Sequence, residues 1–485
     1  MRGAFHFAFA GIISVQEEHM VFGKNINSPQ KGLNIIIVGC GKVGATLVEQ
    51  LSREGHDITM IDQHPSRIQE ITGQYDIMGI TGNGASHSIQ LEAGIEQADL
   101  LIAVTDSDEL NLLCCIIAKQ VGDDCATIAR VRTPDYSIEV GYLREKLGLT
   151  MVINPELEAA RETSRILFLP AALEVNSFAH GQADIIKFRI PENNILDGIS
   201  IAELGQSITQ DVLVCAVERD GEVTIPSGSF QLLAKDTVSF VVSRKKIHNF
   251  LKSIDIKTKQ VKNTLIVGGG RSAYYLATHL IKMGIDVRII ERNTKRCEEL
   301  SILLPKATII NGDGSDQDIL NQENLKNIES FVPLTGIDEE NIMLTLHARQ
   351  ISNAKVITKI NRSVFKNVIN SLDLGSVIYP RYITSEAIIA YVRAKKNSMD
   401  SNIETLYHMF DHRAEAIEFL VDEPSNVTDV PLMNLNLKEN LLVCCIYRNG
   451  RVIIPGGQDC IRTGDAVMIV TTHTGFRDIA DILKG

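Results

Sequence analysis

No apolar run in the chain approaches the roughly 20 residues that a membrane-spanning helix needs. The longest, such as Ile166 to Leu173, are of core length, so the chain is not expected to cross a membrane by itself. An excess of positive charge is missing too: 48 Lys and Arg stand against 60 Asp and Glu, a net charge of −12. Such a chain repels a phosphate backbone, which argues against wholesale nucleic-acid binding. The nine cysteines, an odd number, form no CxxC pair and have no His at ligand spacing. No structural metal and no disulfide framework are predicted. The adjacent pairs Cys114–Cys115 and Cys444–Cys445 lie in apolar runs and read as buried free thiols, a usage that suits a reducing cytoplasm.

What is there is ordinary globular material, 44% hydrophobic and 22% charged, which argues against a disordered chain. At roughly 100–200 residues per domain, the length predicts three or four domains. Residues 1–32 stand apart. Arg2 and the apolar stretch Ala4 to Val15 faintly resemble a signal peptide, but His6 interrupts it and Glu17–Glu18 follow. The segment reads as an over-long start or a disordered tail and is set aside from the fold.

The most informative feature is an internal repeat. Asn34-Ile-Ile-Ile-Val-Gly-Cys-Gly-Lys-Val-Gly44 returns as Asn263-Thr-Leu-Ile-Val-Gly-Gly-Gly-Arg-Ser-Ala273. Gly39 thus corresponds to Gly268, a spacing of 229 (268 − 39) that also relates Asp62 to Glu291 and Arg130 to Lys359. The segment Thr105 to Asn111 meets Thr335 to Asn341, and Pro226-Ser-Gly228 returns as Pro455-Gly-Gly457. A period this long, occurring twice, marks a duplicated domain pair and not a solenoid.

Each copy opens with alternating strands and helices. Asn34–Val38 is a continuous apolar strand of the kind buried on both faces of a parallel sheet. Val43, Leu47 and Leu51 then recur at helical spacing. Further strands are expected at Asp57–Asp62, Asp76–Ile80, Leu100–Thr105, Ala126–Val131 and Thr150–Ile153. The pattern predicts α/β architecture with a doubly wound parallel Rossmann sheet in each copy. The second part of each copy holds short β-rich runs: Phe188–Ile190, Val212–Glu218, Glu222–Ile225 and Thr237–Val242, then Val443–Tyr447, Arg451–Ile454 and Ala466–Val470. Turn signals at Asp220-Gly221 and Asn449-Gly450 join them into small α+β modules. The expected division is 33–155 and 259–381 for the Rossmann domains, with 156–258 and 382–485 for a linker helix and small module each.

Gly39-Cys40-Gly41-Lys42-Val43-Gly44 sits between a strand and a helix, the context a dinucleotide fingerprint requires. The first glycine permits the tight turn, the second admits a pyrophosphate, and the third lets helix and strand pack closely. Helix N–H groups then hold the phosphates. Asp62 ends the next strand, where a carboxylate accepts ribose hydroxyls and repels a 2′-phosphate, favouring NAD(H) or a plain adenine nucleotide over NADP. The bland alternative is a glycine turn kept for packing. The second loop, Gly268-Gly269-Gly270-Arg271-Ser272-Ala273, has Glu291 in the aspartate's place, and reads as a second site or as a structural copy that has outlived its ligand. Gly82 and Asn83, after the third strand, can back an adenine. Thr105 and Asp106 end the fourth strand at the crevice where such folds bind ligands, and Arg130 ends the fifth. A cation there can meet a diphosphate or triphosphate. For its counterpart Lys359, an ordinary ion pair with a nearby carboxylate is the alternative.

Equipment for turnover is missing. A dehydrogenase needs a proton donor or acceptor beside the nicotinamide. His56, His64 and His87 have no carboxylate at a recognisable spacing and read as surface histidines; Glu156 and Glu158 are i, i+2 on a helix and face apart. With no nucleophile elbow and no metal cluster, a chain that binds nucleotides twice is read as a sensor and not an enzyme.

Together, the strand-GCGKVG segment, Asp62, TGNGAS (81–86), VTDSDELN (104–111), ARVRTPDY (129–136) and Val152-Ile-Asn-Pro155 resemble the nucleotide-binding domain of the regulator-of-potassium-conductance (RCK, or KTN) family. The IPSGSF and IPGGQD segments resemble its C-terminal partner domain. The likeness runs nearly from Leu33 to Gly485. It implies that Gly39, Cys40, Gly41, Lys42 and Val43 cradle phosphates, that Asp62 holds the ribose, and that Thr105, Asp106 and Arg130 complete the first site. Gly268 to Ser272, Glu291, Thr335 and Gly336 would form the second. It further implies NAD or NADH as ligand, with ATP and ADP as further candidates. The expected assembly is a homo-oligomeric ring beneath a membrane-embedded Trk-type potassium transporter subunit, on the inner face of the cell membrane. Lys42 departs from the Arg or Gln of many relatives, trading bidentate phosphate contact for a point charge. Gly336 in place of Asp106, and Lys359 in place of Arg130, make the second site chemically poorer. A regulator of another cation transporter or antiporter, and an NAD-dependent oxidoreductase, are the competing readings.

Overall fold

A computed structural model describes residues 32–122, 124–207, 212–256, 259–361, 369, 372–396, 402–410 and 412–484; of the N-terminal extension, 1–31 lie outside these. Strands β1 (Asn34–Val38), β2 (Asp57–Asp62), β3 (Met78–Thr81), β4 (Leu100–Ala103), β5 (Ala126–Arg130) and β6 (Met151–Ile153) form a parallel sheet in the order β3-β2-β1-β4-β5-β6. The central strands β1, β4 and β5 are buried almost throughout, which is why they read as unbroken apolar runs. An antiparallel sheet follows, made of β7 (Glu174–Phe178), β8 (Ala183–Arg189), β9 (Val212–Arg219), β10 (Glu222–Thr224) and β11 (Thr237–Ser243), ordered β10-β9-β11-β8-β7.

The second copy repeats both. Strands β12 (Asn263–Val267), β13 (Asp286–Glu291), β14 (Thr308–Asn311), β15 (Ser330–Pro333), β16 (Lys355–Lys359) and β17 (Ser376–Ile378) make the parallel sheet β14-β13-β12-β15-β16-β17. Strands β18 (Ile403–Met409), β19 (Ala414–Leu420), β20 (Leu441–Arg448), β21 (Arg451–Ile453) and β22 (Ala466–Thr471) make the antiparallel sheet β18-β19-β22-β20-β21. Strands β7, β18 and β19 fall where the sequence pattern predicted none, and β8 begins five residues before the expected Phe188.

The copies interlock. The linker helix Pro155–Phe168 is capped by Asn154, whose Oδ1 accepts the Leu157 N–H at 3.0 Å. Its Ala159, Ala160, Ile166 and Leu167 pack not on their own Rossmann unit but in the core of the second, beside Ala273, Leu276 and Leu280 of helix Arg271–Lys282. In return, helix Pro380–Lys396 sends Ile388, Ile389 and Val392 into one core with Leu47, Val48 and Leu51 of helix Lys42–Arg53. The two antiparallel sheets meet through a shared core containing Ile185, Cys215 and Val241 from one, and Ala416, Cys444 and Met468 from the other. Across that joint the Ala179 N–H donates to Oε1 of Glu418 at 2.7 Å. The nine cysteines are free, and both adjacent pairs are buried. Among the described residues, no helix is long and apolar enough to cross a membrane.

Candidate functional site

Strand order reverses between β1 and β4, which pair through Val38 and Ala103. Ligands of doubly wound sheets bind at the carboxyl ends of such strands. Gly39 leaves β1 with φ +106°, and a Cβ there would lie 2.9 Å from the Thr105 nitrogen. At Gly44 it would lie 2.0 Å from the Gly39 carbonyl oxygen. Internal packing therefore accounts for the first and third glycines. It does not account for the second: a Cβ on Gly41 meets nothing within 4 Å. The same holds at Gly270 in the other copy, while Gly268 repeats the left-handed turn at φ +97°. No side chain caps the helix that starts at Lys42 or the one that starts at Arg271. Helix Asp108–Val121 is capped by Ser107, whereas helices Pro65–Gln74 and Asp338–Ile351 also lack a side-chain cap, so it is the open space beside Gly41 and Gly270 that sets the two glycine loops apart. Each glycine loop thus presents helix N–H groups beside open space, as an anion cradle does. Gly41, Lys42 and Arg271 are exposed, while Val43 and Gly44 are buried behind them.

Asp62 lies at the end of β2, alongside this loop. Its Oδ2 accepts the Cys40 N–H at 2.7 Å, and its Oδ1 accepts the His64 N–H at 2.9 Å. The His64 ring Nδ1 is 2.8 Å from the same Oδ1. Burial alone would push this carboxyl up, but the hydrogen bonds from His64 and Cys40, with Arg67 nearby, outweigh it and hold Asp62 below the usual carboxylate range. An anion at this strand end is therefore maintained at neutral pH. Gly82 donates its N–H to the Asp62 carbonyl at 2.9 Å, and the Asn83 side chain accepts from Ala85, so the turn after β3 is tied to the carboxylate's own backbone.

Beyond β4, Asn111 organises the crevice. Its Oδ1 accepts both the N–H and the hydroxyl of Thr105, at 2.8 and 2.7 Å, while its Nδ2 donates to the Arg130 carbonyl at 2.9 Å. The buried Arg130 guanidinium reaches Asp106, whose side chain is 94% exposed, at 3.2 Å. Arg132 donates to the Asp106 carbonyl and lies 3.5 Å from Asp108.

The second crevice repeats this plan with different chemistry. Oε2 of Glu291 accepts the Gly269 N–H at 2.7 Å, and Asn341 binds Thr335 and the Lys359 carbonyl as Asn111 binds Thr105 and Arg130. Gly336 offers no side chain, and Lys359 donates instead to the Leu334 carbonyl at 3.1 Å. Burial lowers the Lys359 pKa and Lys42 lowers it further, while Asp338 and Glu156 act the other way. Glu156 also acts on Arg130. The two crevices therefore share electrostatics through the first turn of helix Pro155–Phe168.

Sequence reasoning missed His64, Asn111, Arg132 and Glu156. His64 was expected to lack a carboxylate partner, and instead holds Asp62. His56, also expected at the surface, is buried, its Nδ1 accepting the Leu33 N–H at 3.1 Å. His87 is exposed as expected. The recurrence of Asn111 as Asn341 in the repeat was the available signal for Asn111.

A doubly wound parallel sheet with a glycine-loop crevice, repeated in one chain and joined to small antiparallel modules by crossing helices, defines a tandem two-domain architecture. The TrkA-N domain family matches residues 35–155 and 264–380, and the TrkA-C domain family matches 185–255 and 416–484. The chain is 30% identical over 443 residues to the Trk system potassium uptake protein TrkA of Haemophilus influenzae, covering 90% of this chain and 95% of that one. It is also 30% identical over 459 residues to a TrkA homolog of Methanosarcina mazei, covering 93% and 100%. The chain belongs to the TrkA family of Trk system potassium uptake proteins. Its fold is also similar to that of a solved GsuK channel bound to NAD, with TM-score 0.61 and 16% identity over 92% of this chain and 78% of that one.

Proposed function

We propose that this chain is a cytoplasmic regulatory subunit that binds NAD(H) and adenine nucleotides in its two crevices. Through them it gates a membrane-embedded Trk-type potassium transporter from the inner face of the membrane. The observation that carries this reading is an uncapped helix N-terminus beside an unobstructed glycine, with a loop-fastening carboxylate on the next strand, found twice in one chain. In this reading the backbone from Gly39 to Val43 and from Gly268 to Ser272 holds phosphates, while Asp62 and Glu291 face the riboses. Arg130 and Lys359 meet the distal phosphates. The four-part domain division expected from the sequence is part of the same proposal.

The crossing helices support a gating role over simple storage of a ligand. Movement of one Rossmann unit displaces a helix rooted in the other, and Glu156 lies near enough to Arg130 and Lys359 to act electrostatically on both. A nucleotide shifts such a device only by its differential affinity for two states. Leu113 and Met343, at equivalent places on helices Asp108–Val121 and Asp338–Ile351, are 46% and 66% exposed. Single exposed apolar side chains of this kind are ordinary surface features, and the homo-oligomeric ring enters this proposal through the family the chain belongs to. The test is calorimetric titration of the full chain with NAD⁺, NADH, ADP and ATP. Saturable binding of at least one is expected, reduced in Gly41→Asp; binding of none contradicts the reading.

A further inference from the structure

One phenol lies between the two crevices. Tyr275, in helix Arg271–Lys282 of the second Rossmann unit, is 6% exposed. Its hydroxyl donates to the Arg132 carbonyl at 2.8 Å and accepts from Nδ2 of Asn154 at 3.0 Å. Both partners belong to the first copy, more than a hundred residues away in the chain. Each is tied to something that nucleotide would move. The Arg132 side chain holds the Asp106 carbonyl and Asp108 at the rim of the first crevice. Asn154 caps the linker helix that carries Glu156. Tyr275 itself stands one turn beyond Gly270 and Arg271, which open the second phosphate loop. We propose that the Tyr275 hydroxyl is a positioning group that couples the two crevices, so that filling the first alters affinity at the second through the Arg132–Tyr275–Asn154 hydrogen bonds. The proposal rests on the nucleotide-binding reading above.

The repeat supplies an internal control. The position equivalent to Tyr275 in the first copy is Thr46, and its hydroxyl turns back to the Lys42 carbonyl of its own helix at 2.9 Å. Asn361 stands where the first copy has Arg132, and bonds Asp338 through its N–H and its side chain at 2.9 Å each. Tyr379 stands where the first copy has Asn154. The phenol bridge is thus built from residues that the duplication does not share, and it joins the rim of the first crevice to the loop helix of the second.

The experiment titrates the full chain with ADP and with NAD⁺, in the wild type and in Tyr275→Phe, each with and without Gly41→Asp to block the first crevice. Coupled sites typically change each other's affinity by about 5-fold or more. In the wild type the affinity of the second crevice is expected to differ by at least about that factor between the first crevice filled and blocked. In Tyr275→Phe, which keeps the ring packing, the ratio is expected to fall below about twofold, with the affinity of each crevice alone nearly unchanged. An independent reading needs no tyrosine variant: filling the first crevice in Gly270→Asp is expected to slow amide exchange at Tyr274–Ala277. Full coupling retained in Tyr275→Phe overturns the relay while leaving the functional reading intact, as does a wild-type ratio of one with both crevices binding. Failure of every nucleotide to bind overturns both.

Discussion

The Cys40 N–H donates to Oδ2 of Asp62 at 2.7 Å, so the carboxylate that we propose faces a ribose is also the group that fastens the glycine loop. Glu291 repeats the arrangement one methylene further out, through Gly269. In the proposed reading, ribose recognition and loop geometry are therefore joined at a single side chain in each copy.

Asp62→Ala removes that fastening. A hydrogen bond to a charged group contributes about 1.5–3 kcal/mol, so affinity for adenine nucleotides at the first crevice is expected to fall at least about tenfold. Calorimetric titration of the variant measures this; an unchanged affinity for all four nucleotides contradicts the assignment.

The crevices are expected to be unequal. Arg130 with Asp106 lines the first, whereas Lys359, bonded to the Leu334 carbonyl, and Gly336 line the second. An aspartate placed at either second glycine sets a carboxylate against the phosphates. Gly41→Asp is expected to remove more of the total binding energy than Gly270→Asp, and the reverse order in the same titration contradicts the ranking.

Much of this plan was legible in the sequence, for identifiable reasons. β1 was readable to the residue because a strand buried on both faces of a parallel sheet is a continuous apolar run, and the glycine loops because only glycine fits beside Thr105 and Gly39. β19 was not readable because it buries two glutamates. Glu415 meets Arg393 and His408, and Glu418 meets the Ala179 N–H, all partners distant in the chain or on another element. The crossing of the linker helices was equally invisible: Ala159, Ala160 and Ile166 would suit the flank of either Rossmann unit. Glu156 acts on Arg130 and Lys359, neighbours that only the fold supplies, whereas His64 reaches Asp62, two residues earlier, because the turn after β2 brings its ring back to the strand end.

That crossing sets a stability prediction. Ile388 is fully buried in the core shared with Leu47 and Leu51, and truncating a core isoleucine costs about 2–5 kcal/mol. Ile388→Ala is expected to lower the urea midpoint and to speed amide exchange in β1, some 350 residues away. Exchange in β1 that does not change contradicts the crossed packing.

A pH dependence follows from the charge chain Glu54–Arg393–Glu415–His408. Burial opposes charge on His408, but its close contacts with Glu386 at 3.3 Å and Glu415 at 3.4 Å outweigh it and raise the pKa to about 9. Burial likewise pushes Glu415 up, but His408 and Arg393 outweigh it and hold it low; burial keeps Glu386 high, so the ion pairing rests on Glu415. An unfolded histidine titrates near ~6.5, so the native state binds this proton more tightly. The contribution is whole below that value and is lost as pH rises through about 9. The melting temperature is expected to fall across this window, and less steeply in His408→Gln; identical slopes contradict the assignment.

The most direct test of the regulatory account is potassium flux. The full chain is reconstituted in liposomes with its membrane partner, and potassium uptake is followed while NAD⁺, NADH, ADP and ATP are varied. The account predicts flux that depends on this protein, differs among the nucleotides, and loses that difference in Gly41→Asp. Flux that is indifferent to the protein under all four nucleotides would contradict it.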